Sequence, residues 1–278
     1  MLKANAGVDD QSESSARECI EAEQVCVTLN HTAILKGIDF SARAGELTAI
    51  VGPNGSGKST LLKALTGDVH YEGNIRLNGN DVTVYSGRAL ANRRAVLAQY
   101  TPVAFPFTVY EVVRFGLLDR SMPDPEQLIL GVLDRVGLSD LAGRTYQVLS
   151  GGEQQRTQLA RILLQSQTSF SHSEPRWLFL DEPVASLDIK HQLEVMDIAR
   201  DFARESGGVV CVMHDLNLTA MFADSVAVIR DGRVLAQGAP SAVLTDPVLS
   251  AAYDCALRVN KTPSNADTYL LPHTCRSS

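Results

Sequence analysis

The stretch LTAIVGPNGSGKSTLLKALTG, residues 47–67, constrains this chain more than any other. Leu47 to Val51 form a run apolar but for Thr48, as expected of a strand buried on both faces of a sheet. The run stops at a glycine-rich loop, and a helical pattern follows at once. Gly52, Pro53, Asn54, Gly55, Ser56, Gly57, Lys58 and Ser59, with Thr60 behind them, fit the spacing G-x-x-x-x-G-K-[ST] in its strand–loop–helix setting. Glycines let such a loop curl until several backbone N–H groups point inward at phosphate oxygens. The helix start adds partial positive charge. Lys58 is then placed to reach the β- and γ-phosphates of a nucleotide, and Ser59 to ligate Mg²⁺.

Other apolar runs end as abruptly. AVLA stops at Gln99, WLFL at Asp181 and Glu182, and GVVCVM (208–213) at His214. Ligands of an open parallel sheet sit beyond the carboxyl ends of its strands. If these strands are parallel neighbours of 47–51, their polar ends converge on the glycine-rich loop. Asp181 would hold Mg²⁺ directly or through water. Glu182 would orient and deprotonate an attacking water. His214 and Gln99 are weaker signals. Each has a contact to the γ-phosphate, the metal or the water as its functional reading, and a solvated strand end as its ordinary one.

LSGGEQQR, residues 149–156, sets two glycines at the start of an amphipathic helix, where each costs about 0.5–1 kcal/mol relative to alanine. Ser150 and Glu153 fit a capping box, and Leu159, Ile162 and Leu163 supply the buried stripe. Gly151 and Gly152 lie in the first turn, whose N–H groups have no intrahelical partner, so a polyanion can come close. From spacing alone, this second phosphate-binding helix start serves either the same nucleotide within a monomer or a nucleotide held by another copy.

Taken together and in this order, these motifs resemble the ATP-binding subunits of ABC transporters over roughly residues 21–250. The resemblance implies an α/β P-loop ATPase fold: a mostly parallel central sheet, an N-terminal antiparallel β subdomain and a helical subdomain at about 101–165. It supplies a Q-loop glutamine at Gln99, a signature at LSGGEQQR, a D-loop at SLD (186–188) and a switch histidine at His214. It also answers the glycine question. Two copies pack head to tail, and Ser150, Gly151 and Gly152 of one act on the ATP of the other. The implied site comprises catalytic Glu182, His214 and Gln99, ATP bound by residues 52–60 and 150–152, and Mg²⁺ held by Ser59, Gln99 and Asp181. RRAVLAQ with FPFTVYEVVRFG, DIKHQLEVMDIAR and HDLNLTAMFAD are similar to the subfamily importing haem, siderophore iron and cobalamin. With the polar insertion before PRWLFLDEP they look most like hemin importers, with siderophore-iron or cobalamin import and, further off, a non-transport ABC ATPase as alternatives. The implied partners are a second copy, two permease subunits and, indirectly, a periplasmic substrate-binding protein. Such a subunit works peripherally on the cytoplasmic face of the cell inner membrane. Phe105 and Phe107 are either core of the helical subdomain or the wall of a groove for a permease helix.

The sequence departs from the family in the region before the loop, TLNHTAIL, which has no aromatic to stack on adenine; Leu29 or His31 is the expected substitute. Val184 stands where the family has Thr. Net charge −7 gives no basic footprint for nucleic acid. The five scattered cysteines form no C-x-x-C pair, which suits a reducing compartment and neither a disulfide frame nor a zinc site. No apolar run approaches a membrane span and no signal peptide is evident, so a cytoplasmic chain that meets the membrane through a partner is expected. Residues 1–18 read as a disordered tail, 19–255 as the ATP-binding domain and 256–278 as an irregular tail.

Overall fold

Successive residues of a strand face opposite sides of its sheet, so a continuous apolar run must be covered on both. The computed structural model, which describes residues 19–119, 122–168, 174–262 and 268, builds two layers around such strands. The strands are β1 (Cys19–Leu29), β2 (Thr32–Arg43), β3 (Leu47–Val51), β4 (Glu72–Leu77), β5 (Asn80–Asp81), β6 (Arg94–Leu97), β7 (Arg176–Asp181), β8 (Gly207–Val212), β9 (Ser225–Arg230) and β10 (Arg233–Gly238). The helices are α1 (Lys58–Leu65), α2 (Gly87–Ala91), α3 (Val109–Arg114), α4 (Pro125–Arg135), α5 (Gly151–Gln167), α6 (Ile189–Ser206), α7 (Leu216–Phe222), α8 (Pro240–Val243) and α9 (Asp246–Tyr253).

The central sheet has the order β10-β9-β3-β8-β7-β6 and is parallel except for the β9–β10 hairpin. The hairpin turns at Asp231–Gly232, both with positive φ, as its Asp-Gly signal predicts. The second sheet, β2-β1-β4-β5, is antiparallel. Alternation divides the core. Leu47, Ala49, Leu178, Leu180, Val209 and Cys211 pack toward α5, α6 and α7. Ile50, Trp177, Phe179, Val210 and Val212 pack toward α1 and the antiparallel sheet. The Trp177 indole is fully buried and donates to Asn78 Oδ1 at 2.9 Å, so its one polar atom is satisfied.

TVYEVVRFGLL, residues 108–118, has a helical pattern, and the helix within it is shorter. α3 ends at Arg114 because the chain turns at Phe115–Gly116, where a Cβ would lie 2.1 Å from the Arg161 carbonyl. Thr108 and Glu111 cap α3 with a complete capping box, and Ser150 and Glu153 cap α5 in the same way. Backbone donation from Ser150 is the main force pulling the Glu153 carboxyl below its usual range.

The N-terminal tail 1–18 and residues 169–173 of the polar loop lie outside the described residues, as does most of the C-terminal tail. The described start of that tail is docked: Val259 N–H donates to Asp246 at 2.7 Å, and Leu257 and Val259 pack against the core. Four of the five cysteines are described, and no disulfide joins any of them. Among the described residues no helix is long and apolar enough to cross a membrane.

Candidate functional site

Strand order carries the site. β3, β8, β7 and β6 are adjacent and parallel, so Gly52, His214, Glu182 and Gln99 all emerge at one edge. Beside this edge lies an open cleft of about 630 Å³ lined by Asn54, Gly55, Gly57, Lys58, Ser59, Thr60, Gln99, Glu182, His214 and Ile34.

The loop can be formed only by glycine at two points. Gly52 has φ +150°, and a Cβ there would lie 2.1 Å from the Ile229 carbonyl. Gly57 has φ +106°, and a Cβ there would lie 2.8 Å from Leu35 Cδ2. β2 and β9 therefore clamp the loop from outside. Within it, Lys58 Nζ donates to the carbonyls of Gly52 at 2.9 Å and Pro53 at 3.0 Å. Burial lowers the Lys58 pKa, and the nearby carboxylates of Glu182 and Asp181 oppose that shift.

The acidic pair is divided between two tasks. Asp181, at the end of β7, is buried and accepts from the Ser59 hydroxyl at 2.9 Å. Burial raises its pKa, the Ser59 hydrogen bond counters this, and Glu182 reinforces it. A hydroxyl and a buried carboxylate beside a phosphate loop are hard oxygen donors, and they fit a magnesium ion that shares its remaining ligands with phosphates. Among the described residues no group of three or more His, Cys, Asp and Glu side chains is placed to hold a metal ion.

Glu182 turns the other way. Both of its oxygens are held: Oε2 accepts from Gln99 Nε2 at 2.8 Å, and Oε1 lies 2.5 Å from His214 Nε2. Its backbone is left-handed, φ +53°, a conformation that costs a non-glycine residue about 1–2 kcal/mol. Its N–H donates to Val212, and its carbonyl accepts from Gln155 Nε2 at 2.8 Å. A carboxylate so fixed at the mouth of a phosphate cleft can orient a water and take its proton.

The structure does not bring every expected residue to this cleft. Gly52 and Pro53 contribute carbonyls to Lys58, and the Ser56 side chain is buried under the loop. Ser150, Gly151 and Gly152 do not line the cleft. Gly151 lines a neighbouring cavity of about 290 Å³ with Gln99, Gln155, Ser186 and Glu182. Gly152 has a second reason to be glycine: a Cβ would lie 3.1 Å from Leu187 Cδ2 and 3.2 Å from the Ser186 carbonyl, both in the SLD segment. Neither Leu29 nor His31 lines the cleft; the apolar wall there is Ile34, on β2 beside Gly57. The TAIL run held this residue, but only the fold of β2 over the loop places it. Gln155 was equally hidden, one polar residue among several on α5.

Phe107 is half-buried in the core, whereas Phe105 is 66% exposed. Their rings meet edge-on at 6.0 Å, and Phe107 meets Phe115 at 5.0 Å. Phe107, Glu111, Arg114, Phe115 and Leu117 border a groove of about 390 Å³.

Comparison with known proteins follows the same lines. The sequence profile of the ABC transporter family matches residues 35–185. A hemin import ATP-binding protein of Jannaschia sp. is 57% identical over 257 residues, which cover 92% of this chain and 95% of that protein. One of the same description from Roseobacter denitrificans is 54% identical, covering 91% and 97%. Among solved structures, cbiO1 of Clostridium perfringens, part of an ABC transporter complex, superposes with a TM-score of 0.68 at 28% identity, covering 84% of this chain and 92% of that one.

Proposed function

This chain belongs to the ABC transporter family, whose ATP-binding chains hydrolyse ATP to drive transport, and on that premise we propose that it powers uptake of hemin through a membrane permease. The geometry that carries the hydrolytic half is the pinning of both Glu182 oxygens, by Gln99 and His214, at the phosphate cleft. The cargo rests on the hemin importers that match nearly the whole chain at 54–57% identity.

ATP is the substrate. The N–H groups of residues 52–60 and the α1 start receive its phosphates, and Lys58 exchanges its loop carbonyls for phosphate oxygens. Magnesium, held by Ser59 and Asp181 with Gln99 beside them, would neutralise phosphate charge. Glu182 orients the water and accepts its proton as the oxygen attacks the γ-phosphorus, and ADP leaves. His214 and Gln99 hold the carboxylate at the attack angle. Positioning of this kind supplies much of the rate in phosphoryl transfer.

Ser150–Gly152 complete the site from a second copy. Their placement away from the chain's own cleft, with Ser150 and Gly151 exposed at the start of α5, supports this arrangement. The γ-phosphate then bridges two copies, and its loss reopens them. The groove beside Phe107 and Phe115, with exposed Phe105 next to it, suits a short apolar helix of the permease. Held in this way, the chain works peripherally at the cytoplasmic face of the inner membrane, beneath two permease subunits fed by a periplasmic hemin carrier. Residues 19–255 form the ATP-binding domain, with 101–165 as its helical subdomain.

The test is hemin uptake by vesicles holding the permease and this chain, measured beside phosphate release. Hemin-loaded carrier should stimulate both, and Lys58→Ala should abolish both. Stimulation by a siderophore or cobalamin carrier in place of the hemin carrier overturns the cargo, and phosphate release that survives Lys58→Ala overturns the ATPase site.

A further inference from the structure

The proposed mechanism leaves Gln155 unused, yet its amide is the one side chain of α5 bonded to the hydrolytic glutamate. Gln155 Nε2 donates to the Glu182 carbonyl at 2.8 Å. The other hydrogen bond to that carbonyl is a longer one from Ala185 N–H, at 3.4 Å. The Glu182 backbone is left-handed, so something must hold it there against relaxation. Two external groups do so: the Val212 carbonyl from β8 and the Gln155 amide from α5. Gln155 Oε1 is buried with no hydrogen-bond partner among the described residues, so the amide is fixed through its donor end alone. Gln155 lies four residues beyond Gly151, hence on the same face of α5, and both line the 290 Å³ cavity next to Glu182.

We infer that Gln155 is a positioning residue for hydrolysis: from the first turns of α5 it sets the Glu182 backbone, and so links docking of that helix start on one nucleotide to the hydrolytic geometry of the chain's own site. The inference rests on the head-to-tail reading given above. In that arrangement a single rigid helix bears on two ATP molecules, one directly through its N–H groups and one indirectly, through the Gln155 amide and the Glu182 backbone it holds. A shift of the helix by a fraction of an ångström changes the aim of the Glu182 carboxylate without touching the phosphate loop.

Gln155→Glu keeps the shape and removes the donor at neutral pH; Gln155→Leu removes both polar ends. In full-length protein, kcat for phosphate release should fall about 10–100-fold in each, the scale of a misplacement near 1 Å. The KM for ATP should stay within threefold of wild type. The Gln155→Glu loss should shrink at least threefold between pH 8 and pH 6, because a protonated carboxyl donates again; the Gln155→Leu loss should not. The Hill coefficient for ATP should drop toward 1 in both. Near-normal kcat in both variants overturns the assignment. A rise in KM matching the fall in kcat, or a Gln155→Glu loss independent of pH, overturns it in favour of a merely structural role. A fall in kcat with an unchanged Hill coefficient removes the link between sites. Wild-type turnover insensitive to Lys58→Ala refutes the underlying ATPase reading, and this inference with it.

Discussion

Gly151→Ala separates what the fold needs from what a neighbouring ligand needs. Gly151 is the first residue of α5 and does not have positive φ. A Cβ built there meets only Ser186 Cβ at 3.7 Å and Ser186 Oγ at 3.9 Å, both ordinary contacts. The fold therefore accepts alanine. Replacing glycine at a compatible helical position stabilises by about 0.4–1 kcal/mol, mostly through the unfolded chain. At about 2–4 °C per kcal/mol for a domain of this size, Tm should rise by roughly 1–4 °C. Activity should move the other way. The added methyl stands where a phosphate oxygen must approach the N–H groups of the first turn. A hydrogen bond to a charged group contributes about 1.5–3 kcal/mol. Loss of one lowers kcat/KM by about 10–150-fold, taking 1.4 kcal/mol per factor of ten. Thermal melting without nucleotide, paired with phosphate release at varied ATP, gives both readings on one preparation. A variant that melts as predicted yet turns over ATP at the wild-type rate refutes a polyanion at this helix start. A variant that melts several degrees lower shows that the glycine serves packing instead. Gly152→Ala is the poorer experiment, because its Cβ is crowded by Leu187 and the Ser186 carbonyl.

Two further outcomes follow from the geometry. Burial raises the Asp181 pKa, so the native state holds its proton more tightly than the unfolded chain. Nucleotide-free stability then falls as pH rises from the unfolded carboxylate value of about 4 through the raised folded value. Asp181→Asn should accordingly raise Tm at pH 7 without nucleotide, flatten that pH dependence and abolish phosphate release; a lower Tm at pH 7 contradicts the stated cause. Phe105→Ser removes an exposed ring, so it should leave Tm within about 1 °C and ATPase of the isolated chain unchanged, while hemin uptake in permease vesicles drops at least fivefold. Undiminished uptake removes Phe105 from the docking groove.

The parts of the site legible in sequence are those encoded by neighbours along the chain. A glycine-rich loop between an apolar run and a helix, and polar residues ending other apolar runs, needed only strand adjacency to become a cleft, and β3-β8-β7-β6 supplies it. The capping box at Ser150 was legible for the same reason. What the sequence hid depends on contacts across the fold. Ile34 borders the cleft because β2 crosses the loop at Gly57, whereas Leu29 and His31, closer to the expected position, lie elsewhere. Gln155 reads as a surface residue of an amphipathic helix until α5 is laid beside the end of β7. The left-handed backbone of Glu182 has no signature, since glycine or asparagine would be its ordinary occupants. α3 falls short of its apolar pattern because Gly116 must pass within contact of the Arg161 carbonyl.

The shared nucleotide site is tested most directly by a crystal structure of Glu182→Gln grown with ATP and Mg²⁺. A dimer should form with two ATP molecules, each between residues 52–60 of one copy and Ser150–Gly152 of the other. Nucleotide touched by 150–152 of its own chain, or bound to a monomer with those residues facing solvent, contradicts it.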